Sequence, residues 1–439
     1  MLSPTKLFTP QNQDNVRMIQ LKAYKFKLYP TEEQKSTFAN FFGAKRWVFN
    51  HYLAANQQRF LNKEKHLSNY DINYDITKLK QQADTSWLKD VDDWCLKHAS
   101  EDLHAAYTNF FKSVTGKRKG SKLKAPKFKS RHDKQSYRTR GVKIVQNGIK
   151  LPKIKTPIKA VLHQEFDTNN VKSATISKTP AGEYYVSILV EEEQKLLPST
   201  GKEIGCDLGL KHLLILSNGI KFEHPEQMLA KAKLALKKQQ RKLAKKTKGS
   251  KNYEKQRIKV ARLYAKVTRI RDHYYHNISR FLVENFDAIY LEDLNIIGML
   301  KNRKLARKIH ESAWSKLRYM IRYKAGMYGK TSHEISRWSP SSKTCPECGS
   351  LNQNMDLSVR EWTCDCGAIH DRDITAAVNI LKFGQIELYG QEVLSSQETG
   401  EWELKIPVSL EKQAIKIERS GHCSPVSLGT KKASCSLDD

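Results

Sequence analysis

Two close cysteine pairs, Cys345 with Cys348 and Cys364 with Cys366, constrain the stretch from Pro340 to Ile380 more than any other feature of the chain. Thiolates one or two residues apart, in two pairs divided by a hairpin-sized spacer, can close a tetrahedral Zn(II) site, and Gly349 and Gly367 beside them suit knuckle turns. The second pair is C-x-C where zinc ribbons usually carry C-x-x-C, which tightens that knuckle without forbidding it. A disulfide cluster and four unrelated buried thiols are the alternatives. Cys95, Cys206, Cys423 and Cys435 show no framework spacing, which favours a reducing compartment and a cytoplasmic location.

Directly after the second pair comes Asp371-Arg372-Asp373, then ITAAVNILKF with Ile374, Ala377, Val378 and Leu381 at helical spacing. Asp371 can cap this helix, and Asp373 falls in its first turn, where the helix dipole favours a carboxylate. Capping accounts for one aspartate, not for both.

The chain has 439 residues and a formal net charge of +31. Its length allows two or three domains with real cores. Such an excess of cations repels itself unless a polyanion neutralises it, and nucleic acid is the commonest such partner. No apolar run approaches the roughly 20 residues that span a bilayer, and the first residues are polar, so no membrane segment or signal peptide is expected. Residues 1–17 read as a flexible leader, with Met18 a second candidate start.

Taken in order, IQLKAYKFKL at 19–28 interleaves apolar residues with Lys22, Lys25 and Lys27, as in a strand with a cationic edge. Thr31 to Gln34 forms a capping box, and the helix that follows carries Phe38, Phe41, Phe42, Trp47, Val48 and Tyr52 on its apolar face. Helical periodicity continues to about residue 115. A stretch dense in Lys and Arg then leads into strands, with Asn147-Gly148 and Thr179 to Gly182 as turns. The helical unit, 31–115, is therefore an insertion into a small β-domain made of 18–30 and 116–197.

The third region, 198–339 with 370–383, opens on EIGCDLGLKHLLIL, in which Asp207 is flanked by Gly205 and Gly209. Two long basic helices form a hairpin over 225–285, with Leu229, Leu236, Val260, Leu263 and Tyr274 among the core stripes. FDAIYLEDLN returns to strand, placing Ile289 and Leu291 on one side and Tyr290 and Glu292 on the other. One helix is expected from Leu305 to Tyr328. The cysteine segment is 340–369, and 384–439 has too little periodicity for a core and reads as a disordered tail.

Three acids thus fall at strand ends or a helix start: Asp207, Glu292 and Asp373. Hydrolysis of a phosphodiester by two Mg(II) ions needs such oxygen ligands in convergence. Taken singly, each is an ordinary surface acid.

The strings GCDLGLKH, LEDLN, SSKTCPECG, WTCDCG and HDRDITAAVNI, with LKAYKFKLYPTEEQ at the front and KKTKGSKN in the hairpin, resemble the TnpB (OrfB) family of insertion-sequence proteins, relatives of type V CRISPR effectors. The resemblance spans about residues 18–383 in collinear order. It implies an α+β and α/β multidomain fold: an RNase H-like (RuvC) nuclease domain with a zinc-ribbon insertion, and an N-terminal wedge β-barrel interrupted by a helical recognition domain. It also implies Asp207, Glu292 and Asp373 as catalytic ligands of two Mg(II) ions, and a structural Zn(II) on Cys345, Cys348, Cys364 and Cys366. Its partners would be a guide RNA from the transposon end and target double-stranded DNA, in a bacterial or archaeal cytosol. An RNA-DNA heteroduplex is held by its backbone while pairing supplies sequence choice, so the protein need read only a short flanking motif. Lys22, Arg46, Asn69, Asn73, Lys97, Tyr137 and Arg138 are candidates for nucleic-acid contact. Exposed polar groups with no such role are the plain alternative for each. A non-cleaving RNA-guided or direct DNA-binding regulator of transposition and a strand-transferring transposase are the competing functions.

Overall fold

The structure, a computed structural model, describes residues 19–118, 120–146, 148–353, 355, 359–389 and 415–417. The expected leader and most of the expected tail lie outside these residues. The chain divides into two compact units, Met1–Gln194 with Leu236–Ala265, and Lys195–Ala235 with Lys266–Asp439.

The first unit begins with strand β1 (Ile19–Tyr29). Its inward residues are Tyr24, Phe26 and Leu28, all buried, whereas Leu21 falls on the opposite face and is 63% exposed. Helix α1 (Glu32–Leu61) starts at the expected capping box. The Gln34 amide donates to Thr31 Oγ1 at 3.3 Å, and the Thr31 amide donates to Gln34 Oε1 at 3.0 Å. Phe38, Phe41, Phe42, Val48 and Tyr52 on α1 are buried; Trp47 is only partly so. Helix α2 (Asn69–Leu79), a 3-10 turn (Ala83–Asp90) and helix α3 (Asp93–Val114) complete the helical insertion.

Strands β2 (Gln135–Thr139), β3 (Lys143–Val145), β4 (Gly148–Lys150), β5 (Ile158–Ala160), β6 (Val171–Lys178) and β7 (Tyr184–Glu193) then join β1 in one antiparallel sheet, in the order β2-β6-β7-β1-β5-β4-β3. β1, which precedes the insertion, lies between two strands that follow it, pairing with β5 and with β7 from Ile19↔Glu193 to Leu28↔Tyr184. Among the described residues β2 and β3 are edges, so the pairing does not close into the expected barrel.

The second unit is built on β8 (Glu203–Asp207), β9 (Leu214–Leu216), β10 (Ile220–Phe222), β11 (Ala288–Glu292) and β12 (Thr331–Ile335), in the order β12-β11-β8-β9-β10. β8, β11 and β12 are parallel; β9 runs antiparallel to β8, and β10 antiparallel to β9. A strand β15 (Ile415–Ile417) adds to β10 from within the stretch expected to be an unstructured tail. The basic hairpin is α4 (Glu226–Ala244) and α5 (Lys251–Asn285), both shared between the two units. Between β11 and β12 lie α6 (Ile296–Met299), α7 (Ala306–Ser312) and α8 (Trp314–Met327).

The single helix expected from Leu305 to Tyr328 is thus broken. Ala313 takes a left-handed conformation (φ 43°), the Tyr275 hydroxyl donates to the Ser312 carbonyl, and Trp314 is buried. A carbonyl bonded by a distant tyrosine no longer serves the helical ladder, and the buried tryptophan fixes the chain's new direction.

Strands β13 (Glu361–Thr363) and β14 (Ile369–Asp371) form an antiparallel hairpin that runs straight into helix α9 (Arg372–Tyr389). The sheet of the second unit is covered on both faces. Ile204, Cys206, Ile289 and Leu291 pack with Ile278 and Phe281 of α5 on one side, while Ala288 and Tyr290 pack with Ile380 of α9 on the other. Burial of each such side chain contributes about 1.5–3 kcal/mol. Among the described residues no helix is long and apolar enough to cross a membrane.

Candidate active site

Strand parity decides where the three acids point. Ile204 and Cys206 face α5, so Gly205 and Asp207 face α9; Ile289 and Leu291 face α5, so Tyr290 and Glu292 face α9 as well. Asp207 is the last residue of β8, and Glu292 is the last of β11, its parallel neighbour, in which Leu291 pairs with Cys206. Both carboxylates therefore stand side by side at the carboxyl rim of the sheet.

Helix α9 reaches the same rim because two glycines admit it. A β-carbon on Gly205 would lie 2.0 Å from the Ala377 carbonyl oxygen, and one on Gly384 would lie 2.1 Å from the Tyr290 ring. From that contact Asp207 lies two strand residues onward, about 6.6 Å, and Asp373 lies four helical residues back, about 6 Å. Asp373 is close enough for its charge to act on Asp207. Burial pushes the Asp207 carboxyl up to about 7, with the charges of Glu292 and Asp373 adding to the effect. Glu292 is also raised, by burial first, with Arg318 pulling the other way.

A cap fixes the start of α9. Asp371 Oδ1 accepts from the amides of Asp373 (2.8 Å) and Ile374 (3.1 Å), while Lys221 donates to its other oxygen at 2.9 Å. The sequence predicted the cap; it held no sign of the lysine. Arg360 Nη1 donates to Asp373 Oδ1 at 3.2 Å. Near Glu292, Arg318 donates to Asp293 at 3.2 Å and pairs with Glu334, and Arg337 Nε donates to Asp293 at 3.1 Å. Trp338, next in sequence, is 86% exposed. Long-range pairs of this kind leave no local signature, and sequence reasoning missed all of them.

The four cysteines are the one group of three or more Cys, His, Asp or Glu, among the described residues, whose ligand atoms all lie within 4.8 Å of one another. Cys345 and Cys366 sulfurs are 3.7 Å apart, and those of Cys348 and Cys364 are 3.5 Å apart. A tetrahedron with 2.3 Å Zn–S bonds has edges of about 3.8 Å, so the donor set fits zinc. Gly349 (φ 76°) and Gly367 (φ 87°) close the two knuckles, donating to the Cys345 carbonyl at 3.0 Å and the Cys364 carbonyl at 2.8 Å. Hydrogen bonds from Ser350 lower the Cys348 thiol to about 6. His370 Nε2 lies 3.1 Å from Cys345 Sγ, placed to steady that ligand from outside. The acids at the rim are not drawn within the same span.

In the first unit the nucleic-acid candidates separate. Arg46 and Arg138 line one cleft with Lys45, Lys129 and Lys134. Tyr137 forms its floor, 1% exposed and packed edge-on against Phe41, so it offers no free face for a base to stack on. Asn69 and Asn73 both accept from the Ser100 hydroxyl, at 2.6 and 2.9 Å, with exposed Lys97 over the Trp94 ring. Lys22 is tied to Glu192 at 2.9 Å.

A family model described as "Probable transposase" matches residues 186–303, one described as "Cas12f1-like, TNB domain" matches 314–380, and one described as "Helix-turn-helix domain" matches 18–65. The last of these covers one strand and one long helix here. A Streptomyces pristinaespiralis protein named "Putative RNA-guided DNA endonuclease" is 36% identical over 368 residues, 83% of this chain and 89% of its own. The Escherichia coli K12 protein "Putative RNA-guided DNA endonuclease InsQ" is 29% identical over 86% of this chain and 96% of its own. Among solved structures, a Cas12f1-sgRNA-target DNA complex is similar over 82% of this chain and 98% of its own, at 12% identity and a TM-score of 0.43. A relative this close over nearly its whole length shows that the chain belongs to the TnpB (OrfB) family of insertion-sequence proteins.

Proposed function

We propose that the protein is an RNA-guided DNA endonuclease of transposon origin that cuts double-stranded DNA beside a short flanking motif. What supports the reading is that Asp207 and Glu292 close neighbouring parallel strands and that the charges of Glu292 and Asp373, the latter in the first turn of α9, act on Asp207. The strand order, with an antiparallel hairpin leading into two strands parallel to the first, supports an RNase H-like (RuvC) domain. Names borne by the relatives support guidance by RNA, and the +31 charge supports a polyanionic load.

The rim fits magnesium in its chemistry. Its donors are carboxylate oxygens alone, and their mutual repulsion, felt most at Asp207, is what a hard dication relieves. Asp207, Glu292 and Asp373 would hold the ions. When bound, two Mg(II) ions supply an activated water and a counter-charge for the leaving oxygen. The chain's own part is to fix the three oxygens through β8, β11 and the Asp371 cap. Arg318 and Arg337 keep Asp293 turned away from the rim. The four cysteines would hold Zn(II) in a structural role, keeping the β13–β14 hairpin in register at the root of α9.

The test is cleavage by protein purified with its native flanking RNA, offered a matched duplex and Mg(II). Wild type is expected to cut and Asp207→Ala to bind without cutting. Equal cutting by both would overturn the reading, and binding without cutting by wild type would leave a guided regulator.

A further inference from the structure

Arg360 stands in an unusual position for a residue of a zinc-binding segment. Its guanidinium lies 3.2 Å from Asp373 Oδ1, and the pair is unequal in exposure: Arg360 is 55% exposed and Asp373 18%. The backbone beneath it is held in register. The Arg372 amide donates to the Arg360 carbonyl at 2.8 Å, and Glu361 pairs with Asp371 across the hairpin. The other end of that hairpin is the cysteine knuckle, with Cys364 following Thr363 directly. A single short ladder therefore connects the cysteine knuckle to an arginine that faces Asp373.

We propose that Arg360 is a positioning residue that occupies Asp373 until a divalent cation takes its place, so that the zinc-held hairpin sets the cation affinity of the acidic rim. The inference rests on the reading of that rim as a Mg(II) site. A cation approaching Asp373 must displace the guanidinium, which gives up a partly exposed ion pair and swings outward into solvent on its long side chain. Exposed pairs of this kind are weak, so the hold is one that a dication overcomes. The freed guanidinium then lies beside the rim, where the charge of a DNA phosphate would meet it.

The experiment is a titration of the zinc-loaded, full-length protein with Mn(II), bound ions being counted by electron paramagnetic resonance. Arg360→Gln is expected to tighten Mn(II) binding about twofold to fivefold, the range that loss of one such competing pair allows. Arg360→Lys should stay near wild type. In an Asp373→Asn background, Arg360→Gln should change nothing, a cancellation that a merely structural arginine would not produce. Arg360→Met, with zinc content and melting temperature measured alongside, repeats the test without a hydrogen-bonding side chain. Unchanged or weaker Mn(II) binding by both neutral variants overturns the inference, as does tightening that persists with Asp373→Asn. If Mn(II) binding is absent or indifferent to Asp207→Asn, the nuclease reading itself falls. Binding that needs Asp207 but ignores Arg360 sinks this inference alone.

Discussion

Lys221 on β10 and Asp371 at the end of β14 are joined at 2.9 Å, although 150 residues separate them, and the lysine side chain is only 4% exposed. The same carboxylate caps α9, so one residue ties the sheet to the start of the helix that carries Asp373. Burial alone would raise Asp371, but Lys221 and the two amides outweigh it and hold the carboxyl below its usual range.

Asp371→Ala removes cap and ion pair together and is expected to lower stability by about 2 kcal/mol; Asp371→Asn keeps a cap acceptor and should cost about half as much. Thermal melting of the two variants checks the order. Both should also cut DNA more slowly than wild type, because Asp373 is set by the amide that Asp371 accepts.

Asp207→Asn should abolish cutting and yet raise the melting temperature in magnesium-free buffer. The folded state pushes this carboxyl up to about 7, against 3.8 for a free aspartate. A group raised in this way binds protons better folded than unfolded, so its contribution to stability declines as pH climbs from about 4 to about 7. The amide has no such decline. With partial solvent exposure taken into account, the gain at neutral pH is about 1 kcal/mol. A lower melting temperature for the variant at pH 7.5 contradicts this account.

Gly205→Ala places a methyl group 2.0 Å from a backbone oxygen and 2.7 Å from the Leu381 amide nitrogen. Neither atom belongs to a side chain that can turn aside, so α9 must move or the sheet must part. A loss of about 3 kcal/mol or more is expected, with loss of cutting although all three acids remain. Hydrogen exchange across α9 reads the displacement directly.

Asp287 supplies the acid limb of the stability profile. Desolvation disfavours its charge, but Lys330, Ser199 and the amides of Thr200 and Gly201 more than compensate, holding the carboxyl well below the ordinary range. Its contribution is complete above about pH 4 and disappears as pH falls through the lowered folded value. Asp287→Asn should cost about 2 kcal/mol at pH 7 and flatten the loss of stability below pH 4. Denaturant titrations at pH 3 and pH 7 separate the two effects.

How legible such features were in the sequence depended on the distance over which they were decided. The capping box at Thr31, the cap at Asp371 and the glycine knuckles at Gly349 and Gly367 are settled within four residues, and each could be read from the sequence. So could the parity of Tyr290 and Glu292, because a strand has only two faces. Features that rest on distant partners could not be read. Nothing near Ala313 announces that Tyr275 will take the Ser312 carbonyl and break the helix. Nothing near Tyr137 tells that Phe41 of a separate helix will bury it. Asp373 was found by its place at a helix start, while the arginine facing it belongs to a hairpin whose register only the folded chain defines.

The absence of any linker between β14 and α9 restricts how this protein can be altered. A helix advances 100° per residue, so one residue added between Asp371 and Arg372 would rotate Asp373 by more than a quarter turn, away from its two partners. Residues added before β13 leave this rotation unchanged, because β13 and β14 restore the register before the helix begins, as long as Met355 keeps its place against Cys345 and Trp362. An added module therefore disturbs Asp373 less between the two cysteine pairs than between β14 and α9.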